Sequence, residues 1–207
     1  MTANLLDLAT VNLYERKYVH SVQQSMQFMI DLLPFIHTLN KDLSWGTELE
    51  VLDIGTATGA GANLLAMFNC ADFFGTPMKV DAMDVLDRFS EHAKVNFPLI
   101  NYIVADIFEY NYHRKWDCII CSHCIEHFQD PTDFINELVR RAKLWVLFYA
   151  PYMEQDLSFA GHQISITDEL VYKFDPYCCE KIISRGWKNY NDEESKCIVF
   201  ALKGQAQ

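Results

Sequence analysis

Apolar residues recur along the chain at two spacings, and the changes between them mark its elements. Val19, Val22, Met26, Met29, Ile30, Leu33, Ile36 and Leu39 fall mostly three or four apart. That spacing predicts a helix over residues 18–39, which Pro34 kinks or divides. Glu48 to Gly55 follows as a short apolar strand ending on a glycine turn, and residues 59–69 form an Ala- and Leu-rich helical stretch. Lys79 to Val85 is a second strand, Leu86 to Val95 a helix, Leu99 to Ala105 a third strand and Trp116 to Cys121 a fourth. Asp130-Pro131 then opens a helix with Phe134, Ile135, Leu138 and Val139 on one face, and Leu144 to Tyr149 is a fifth strand.

Strands that are apolar along their length and alternate with helices predict an α/β fold. Its parallel sheet is covered by helices on both faces. After residue 150 the pattern changes. Thr167 to Lys173 suits a short helix, and Cys178 to Ser184 and Lys196 to Leu202 suit two strands flanking the polar stretch Arg185 to Ser195. A hairpin closing one sheet edge is the expected arrangement. No repeat or linker divides the chain, and its 207 residues suit a single domain.

Composition narrows the function. Half the residues are apolar and 14% aromatic, enough to bury a core. The formal charge of −11 disfavours a grip on nucleic-acid phosphates or an anionic membrane surface. No apolar run approaches the ~20 residues of a membrane span. Residues 1–13 lack the basic-then-apolar pattern of a secretory signal. Seven cysteines in no framework spacing read as reduced thiols, so a cytoplasmic location is expected.

The sharpest motif is Val51-Leu-Asp-Ile-Gly-Thr-Ala-Thr-Gly-Ala-Gly61. A strand runs into a turn whose glycines permit positive φ and close approach of a ligand, then into a helix whose first N–H groups are free to hold polar atoms. The spacing departs from the dinucleotide pattern G-x-G-x-x-G. Asp84 ends the second strand, where a carboxylate can accept from two ribose hydroxyls, and Asp106 ends the third. A single such Asp is equally well a helix N-cap. Three in register with the strand count favour a ligand site.

The Asp53-x-Gly55-x-Ala57-x-Gly59 spacing resembles motif I of the class I S-adenosylmethionine-dependent methyltransferases, which usually carry Gly at the Ala57 position. The resemblance extends to Ser122-His-Cys-Ile-Glu-His127 after the fourth strand, followed by Asp130-Pro131, and covers about residues 48–150. It implies a Rossmann-like sheet of seven strands in the order 3-2-1-4-5-7-6 with strand seven antiparallel. It also implies an N-terminal helical cap over residues 1–45, a cofactor-binding core over 46–150, and a substrate-side loop and C-terminal hairpin over 151–207. S-adenosylmethionine would lie against Asp53, Gly55, Thr56, Ala57, Gly59, Asp84, Val85, Asp106, Ile107 and Ser122. S-adenosylhomocysteine would be the product. The acceptor would be a small molecule (sugar, quinone-like or secondary metabolite), methylated on oxygen or nitrogen rather than carbon, by a monomer or homodimer.

A hydroxyl acceptor must lose a proton, and His123 is the first candidate base, with His162 in Gly161-His-Gln-Ile-Ser-Ile-Thr167 the second. Glu126 and His127 brace the loop or face the substrate. Tyr14, Tyr18 and His20, ahead of the first long helix, suit a lid, and Tyr152 and Met153 an acceptor pocket.

Rival readings use the same residues. Cys118, Cys121 and Cys124 begin an iron–sulfur spacing but lack its fourth cysteine, and two of them would face opposite sides of one strand. His123 to His127 spells the H-x-x-E-H of a zinc hydrolase, which needs a long helix. Ubiquinone-pathway O-methyltransferases carry a similar Glu-x-x-Glu-His segment thought to hold a divalent metal. With His123 in place of the first Glu no metal is expected, and His123, Glu126 and His127 are the set that would bind one. An NAD-dependent oxidoreductase and a non-catalytic scaffold remain as alternatives.

Overall fold

The computed structural model describes residues 13–44, 46–69, 76–157, 161–186 and 195–205, with the side chains of 13–18 and 69 outside that description. Its order is α1 (Leu13–Leu39), β1 (Leu49–Ile54), α2 (Ala60–Asn69), β2 (Met78–Asp84), α3 (Ser90–Asn96), β3 (Ile100–Val104) and β4 (Trp116–Ser122). A 3-10 turn (Ile125–His127), α4 (Thr132–Arg141), β5 (Ala142–Pro151), α5 (Asp168–Tyr172), β6 (Cys178–Ile183) and β7 (Lys196–Lys203) complete it. The strands form one seven-stranded sheet ordered β3-β2-β1-β4-β5-β7-β6. β7 runs antiparallel to both β5 and β6, and the other pairings are parallel.

Period-two alternation along the strands builds a core on each face. Cys118 and Ile120 of β4 belong to the core under α1 and α2, whereas Ile119 and Cys121 join the core under α4. The three motif cysteines therefore do not converge. Cys118, Cys121 and Cys124 are free thiols.

Two elements refine the sequence expectation: α1 is not divided, and the helix after β2 is shorter. Pro34 sits inside α1, and the helix continues through it to Leu39. Met29, Leu32 and Ile36, on both sides of Pro34, are buried. Burial worth about 1.5–3 kcal/mol for each such side chain outweighs the ~3 kcal/mol that an interior proline costs. The helix after β2 starts only at Ser90, because Leu86 N–H donates to Asp84 at 2.9 Å and the Ser90 hydroxyl donates to Asp87. Those side-chain bonds hold residues 86–89 in a turn. No helix among the described residues is long and apolar enough to cross a membrane.

Candidate active site at the carboxyl edge of the sheet

The turn leaving β1 uses left-handed backbone at three alternate residues, Gly55 (φ 72°), Ala57 (φ 49°) and Gly59 (φ 78°). Glycine is needed at Gly55 for space as well. A Cβ there would lie 3.0 Å from Cys124 Sγ. At Gly59 it would lie 2.8 Å from Ile100 Cδ1, so this glycine lets the turn pack on β3. The Ala57 peptide is pinned from both sides. Its N–H donates to Asp84 at 2.9 Å, and its carbonyl accepts the Tyr102 hydroxyl at 2.6 Å.

Asp53, at the end of β1, is buried and accepts the Thr56 hydroxyl at 2.6 Å. Burial pushes its pKa up to about 7; the Thr56 bond opposes the rise, and the Asp84 carboxylate adds to it. Asp106 is exposed just past β3 and accepts Phe108 N–H at 2.9 Å. The loop beyond it is fixed by Arg141, which is fully buried on α4. The guanidinium donates to the carbonyls of Ile107 and Tyr110 at 2.8 Å each, to that of Asn111 at 3.0 Å, and to Glu137 at 2.6 Å.

These elements surround a cavity of about 750 Å³. Asp53, Gly55, Thr56, Ala57, Asp84, Val85, Asp106, Ile107 and Ser122 all line it. Gly59 does not, so its part is to shape the turn from behind. At the other end stand His123, Glu126, His127 and His162, and α1 forms a wall with Ser21, Gln24, Ser25, Phe28 and Met29. Ser122 Oγ is buried with no hydrogen-bond partner among the described residues.

His123 leaves β4 in left-handed backbone (φ 48°) and lies flat on Phe28, with ring centroids 3.8 Å apart. Its Nε2 is 3.9 Å from Cys197 Sγ and its Nδ1 is 3.4 Å from Glu126 Oε1. Glu126 is 1% exposed, and neither of its carboxylate oxygens has a hydrogen-bond partner among the described residues. His162 Nε2 stands 3.9 Å from Glu126 Oε1, while its Nδ1 bonds to the buried Glu154.

The H-x-x-E-H stretch forms a single 3-10 turn rather than a helix, so the zinc-hydrolase arrangement is not built here. The potential ligand cluster among the described residues is Glu126, His127 and His162, with donor atoms within 4.8 Å of one another; His162 stands in it instead of His123. The 3.9 Å between Glu126 and His162 exceeds the roughly 3.4 Å between donors on one zinc ion with bonds of ~2.1 Å.

Tyr14, Tyr18 and His20 fall within α1 rather than before it; His20 is exposed, and the side chains of the two tyrosines lie outside the described residues. Tyr152 and Met153 are not in the cavity lining. Tyr152 donates to Asp168 at 2.9 Å, and Met153 is largely exposed. Sequence reasoning missed Phe28, Cys124 and Glu154. Phe28 falls outside the apolar spacing that marks the first helix, and Glu154 is a lone acid after the fifth strand; only the tertiary fold brings them to the site.

The methyltransferase domain family matches residues 18–159. A ubiquinone biosynthesis O-methyltransferase of Rickettsia akari is 34% identical over 105 residues, covering 50% of this chain and 39% of that protein. The chain thus matches well under half the length of the curated relative. Among solved structures, magnesium protoporphyrin IX methyltransferase from Synechocystis with bound S-adenosylhomocysteine superposes with a TM-score of 0.64 at 14% identity, covering 94% of this chain and 89% of that one. An S-adenosylmethionine-dependent methyltransferase from Clostridium acetobutylicum gives 0.63 at 12% identity, covering 93% and 99%.

Proposed function

This chain belongs to the methyltransferase domain family, and on that premise we propose that it transfers the methyl group of S-adenosylmethionine to a small acceptor bearing a hydroxyl group. The observation that carries the reading is the charge of the cavity. Among the described residues, Asp84, Asp106 and Glu126 line it against one guanidinium, that of Arg88, and Asp53, its pKa pushed up to about 7 by burial, adds only part of a charge near neutral pH. An acidic cavity attracts a sulfonium cation and repels a pyrophosphate. The Ala57 N–H, which a phosphate would need, is already given to Asp84. Both points weigh against the nicotinamide alternative.

The residues present fit the cofactor. The Asp84 carboxylate at the end of β2 retains lone pairs for ribose hydroxyls beyond the two N–H groups it accepts. Asp106 and Ile107 flank the adenine position implied by the family resemblance, and the orphaned Ser122 Oγ gains a partner when the cavity fills. When bound, S-adenosylmethionine supplies a sulfonium-activated methyl group: the acceptor oxygen bonds the methyl carbon while the carbon–sulfur pair returns to sulfur, leaving S-adenosylhomocysteine.

The chain's own part is to align, enclose and take a proton. Phe28 and Met29 of α1 wall the end where the two candidate bases, His123 and His162, stand. The cavity lies within the about 300–1,000 Å³ usual for small-molecule sites, room for a cofactor and a small acceptor. A hydroxyl acceptor is supported by the O-methyltransferase relative. The test is titration calorimetry with S-adenosylhomocysteine, followed by transfer of labelled methyl to a panel of catechol, a hexose and a primary amine. One-to-one micromolar binding and labelling of a hydroxyl are expected. A folded protein that binds no S-adenosylhomocysteine sinks the reading, and labelling confined to the amine overturns the choice of acceptor.

A further inference from the structure

We propose that Glu154 is a positioning residue that holds His162 in the tautomer of a general base, making His162 the group that removes the acceptor's proton. The inference rests on the methyl-transfer reading above. It starts from a contact between two residues eight apart, neither of them in a helix or strand. The side chains of His162 and Glu154 are 2% and 4% exposed, and Nδ1 of the ring bonds directly to a Glu154 carboxylate oxygen. Glu154 itself does not line the cavity, whereas His162 does.

A carboxylate accepts hydrogen bonds and donates none, so Nδ1 carries the hydrogen and Nε2 carries the lone pair. With Nδ1 turned toward Glu154, Nε2 is the nitrogen nearer Glu126, 3.9 Å from its Oε1, and both residues line the cavity. The segment's backbone is also secured. His162 N–H donates to Leu157 O at 3.1 Å and Gln163 N–H to Glu126 O at 2.8 Å, tying the histidine to the turn that carries Glu126. When an acceptor hydroxyl gives its proton to Nε2, the resulting imidazolium lies between two carboxylates. Glu154 strengthens its bond to Nδ1–H as the charge develops, and Glu126 compensates on the other side.

His123 is arranged differently. Its ring is stacked on Phe28, edge-on to Tyr149 with centroids 5.0 Å apart, and near the Cys197 thiol. The buried carboxylate beside it, Glu126, approaches Nδ1 at 3.4 Å without the direct bond that Glu154 makes to His162. The ring thus serves as part of the wall that α1 closes.

The test compares wild type with Glu154→Gln, which keeps the side-chain volume, and with Glu154→Asp. Two readouts separate positioning from mere structural support. The first is the 15N-resolved spectrum of histidine-labelled protein, which reports which ring nitrogen of His162 bears hydrogen without needing any acceptor. The second is kcat against KM with the acceptor that the methyl-transfer panel identifies. Wild type is expected to show the Nδ1–H form, and Glu154→Gln to lose it. In Glu154→Gln, kcat should fall about 10²–10⁴-fold, the scale of a lost, correctly oriented general base, with KM and S-adenosylhomocysteine affinity within about threefold. Glu154→Asp, which retains a carboxylate, should recover part of the loss. An Nε2–H form in wild type, or wild-type kcat in Glu154→Gln, overturns the proposal. A wild-type protein that binds S-adenosylhomocysteine but methylates no hydroxyl brings down the earlier reading, a result distinct from an active wild type matched by its variant.

Discussion

The two ends of the cavity are built by different means. At the β1–β2–β3 end the three acids are fixed by hydrogen bonds from the strand-end turns: Thr56 on Asp53, Ala57 N–H and Leu86 N–H on Asp84, Phe108 N–H on Asp106. These are strand-end turns, repeated three times in a parallel sheet. At the end beyond β4 and β5 the groups come from loops far apart in sequence, and Glu126 is buried without a hydrogen-bond partner among the described residues. The first end is finished before anything binds. The second holds unsatisfied polarity, which in a folded protein calls for an occupant.

If the first end is a prebuilt frame, its largest single support is Arg141. Arg141→Met keeps length and removes the donors to three backbone carbonyls and to Glu137. Breaking a buried pair of this kind costs about 3–5 kcal/mol. For a chain of this size that lowers Tm by roughly 6–20 °C. Thermal unfolding followed by circular dichroism measures it, and a change under about 2 °C would mean the loop after β3 is held by something else.

Asp53 gives the frame a pH dependence. Its folded pKa of about 7 lies above the ordinary 3.8, so the folded state holds a proton that the unfolded chain releases. Stability from this group is therefore fully present below 3.8 and is lost as pH rises through about 7. The loss is on the order of 1.4 kcal/mol for each unit between the two values. Asp53→Asn keeps an acceptor for Thr56 and should flatten that fall. Denaturant midpoints of both proteins across the interval decide it; parallel curves would show that Asp53 is not the titrating group.

Asp84→Ala tests the frame's ligand side directly. Loss of a charged acceptor should cost about 2–3 kcal/mol, close to a hundredfold in S-adenosylhomocysteine affinity. Calorimetry reads the constant, and an unchanged value removes Asp84 from the cofactor site.

The same contrast explains what could be read in advance. The turn after β1 and the acids after β2 and β3 were legible because strand, turn and helix start are local patterns, and a parallel sheet brings its strand ends to one edge. The strand order matched the resemblance. Of the two outcomes expected at Pro34, division of the helix does not occur, because the burial of Leu32 and Ile36 against the sheet outweighs local propensity. The Leu86 helix misled because Asp84 takes its first N–H. The Glu154–His162 bond was illegible for a stronger reason: no periodicity links His162 to a buried carboxylate eight residues before it. The pairing of Phe28 with His123 joins residues 95 positions apart, on a helix and past a strand end. Such pairings are specified only by the packed whole.

The smallest expected effect contrasts the two ends at equal backbone strain. Ala57 and His123 both sit in left-handed backbone, at φ 49° and φ 48°. For an L-residue that conformation costs about 1–2 kcal/mol, part of which glycine gives back through its freer unfolded chain. The Ala57 peptide is held at both its N–H and its carbonyl by side chains of other strands, so the methyl group adds only strain. Ala57→Gly should therefore stabilise the protein by about 0.5–1 kcal/mol and leave S-adenosylhomocysteine affinity within about twofold. His123→Gly relieves the same strain but removes the ring packed on Phe28, and should lower stability. Denaturant unfolding of the two variants side by side checks the pair. Loss of stability in Ala57→Gly would mean that the methyl at this turn supports the cavity wall.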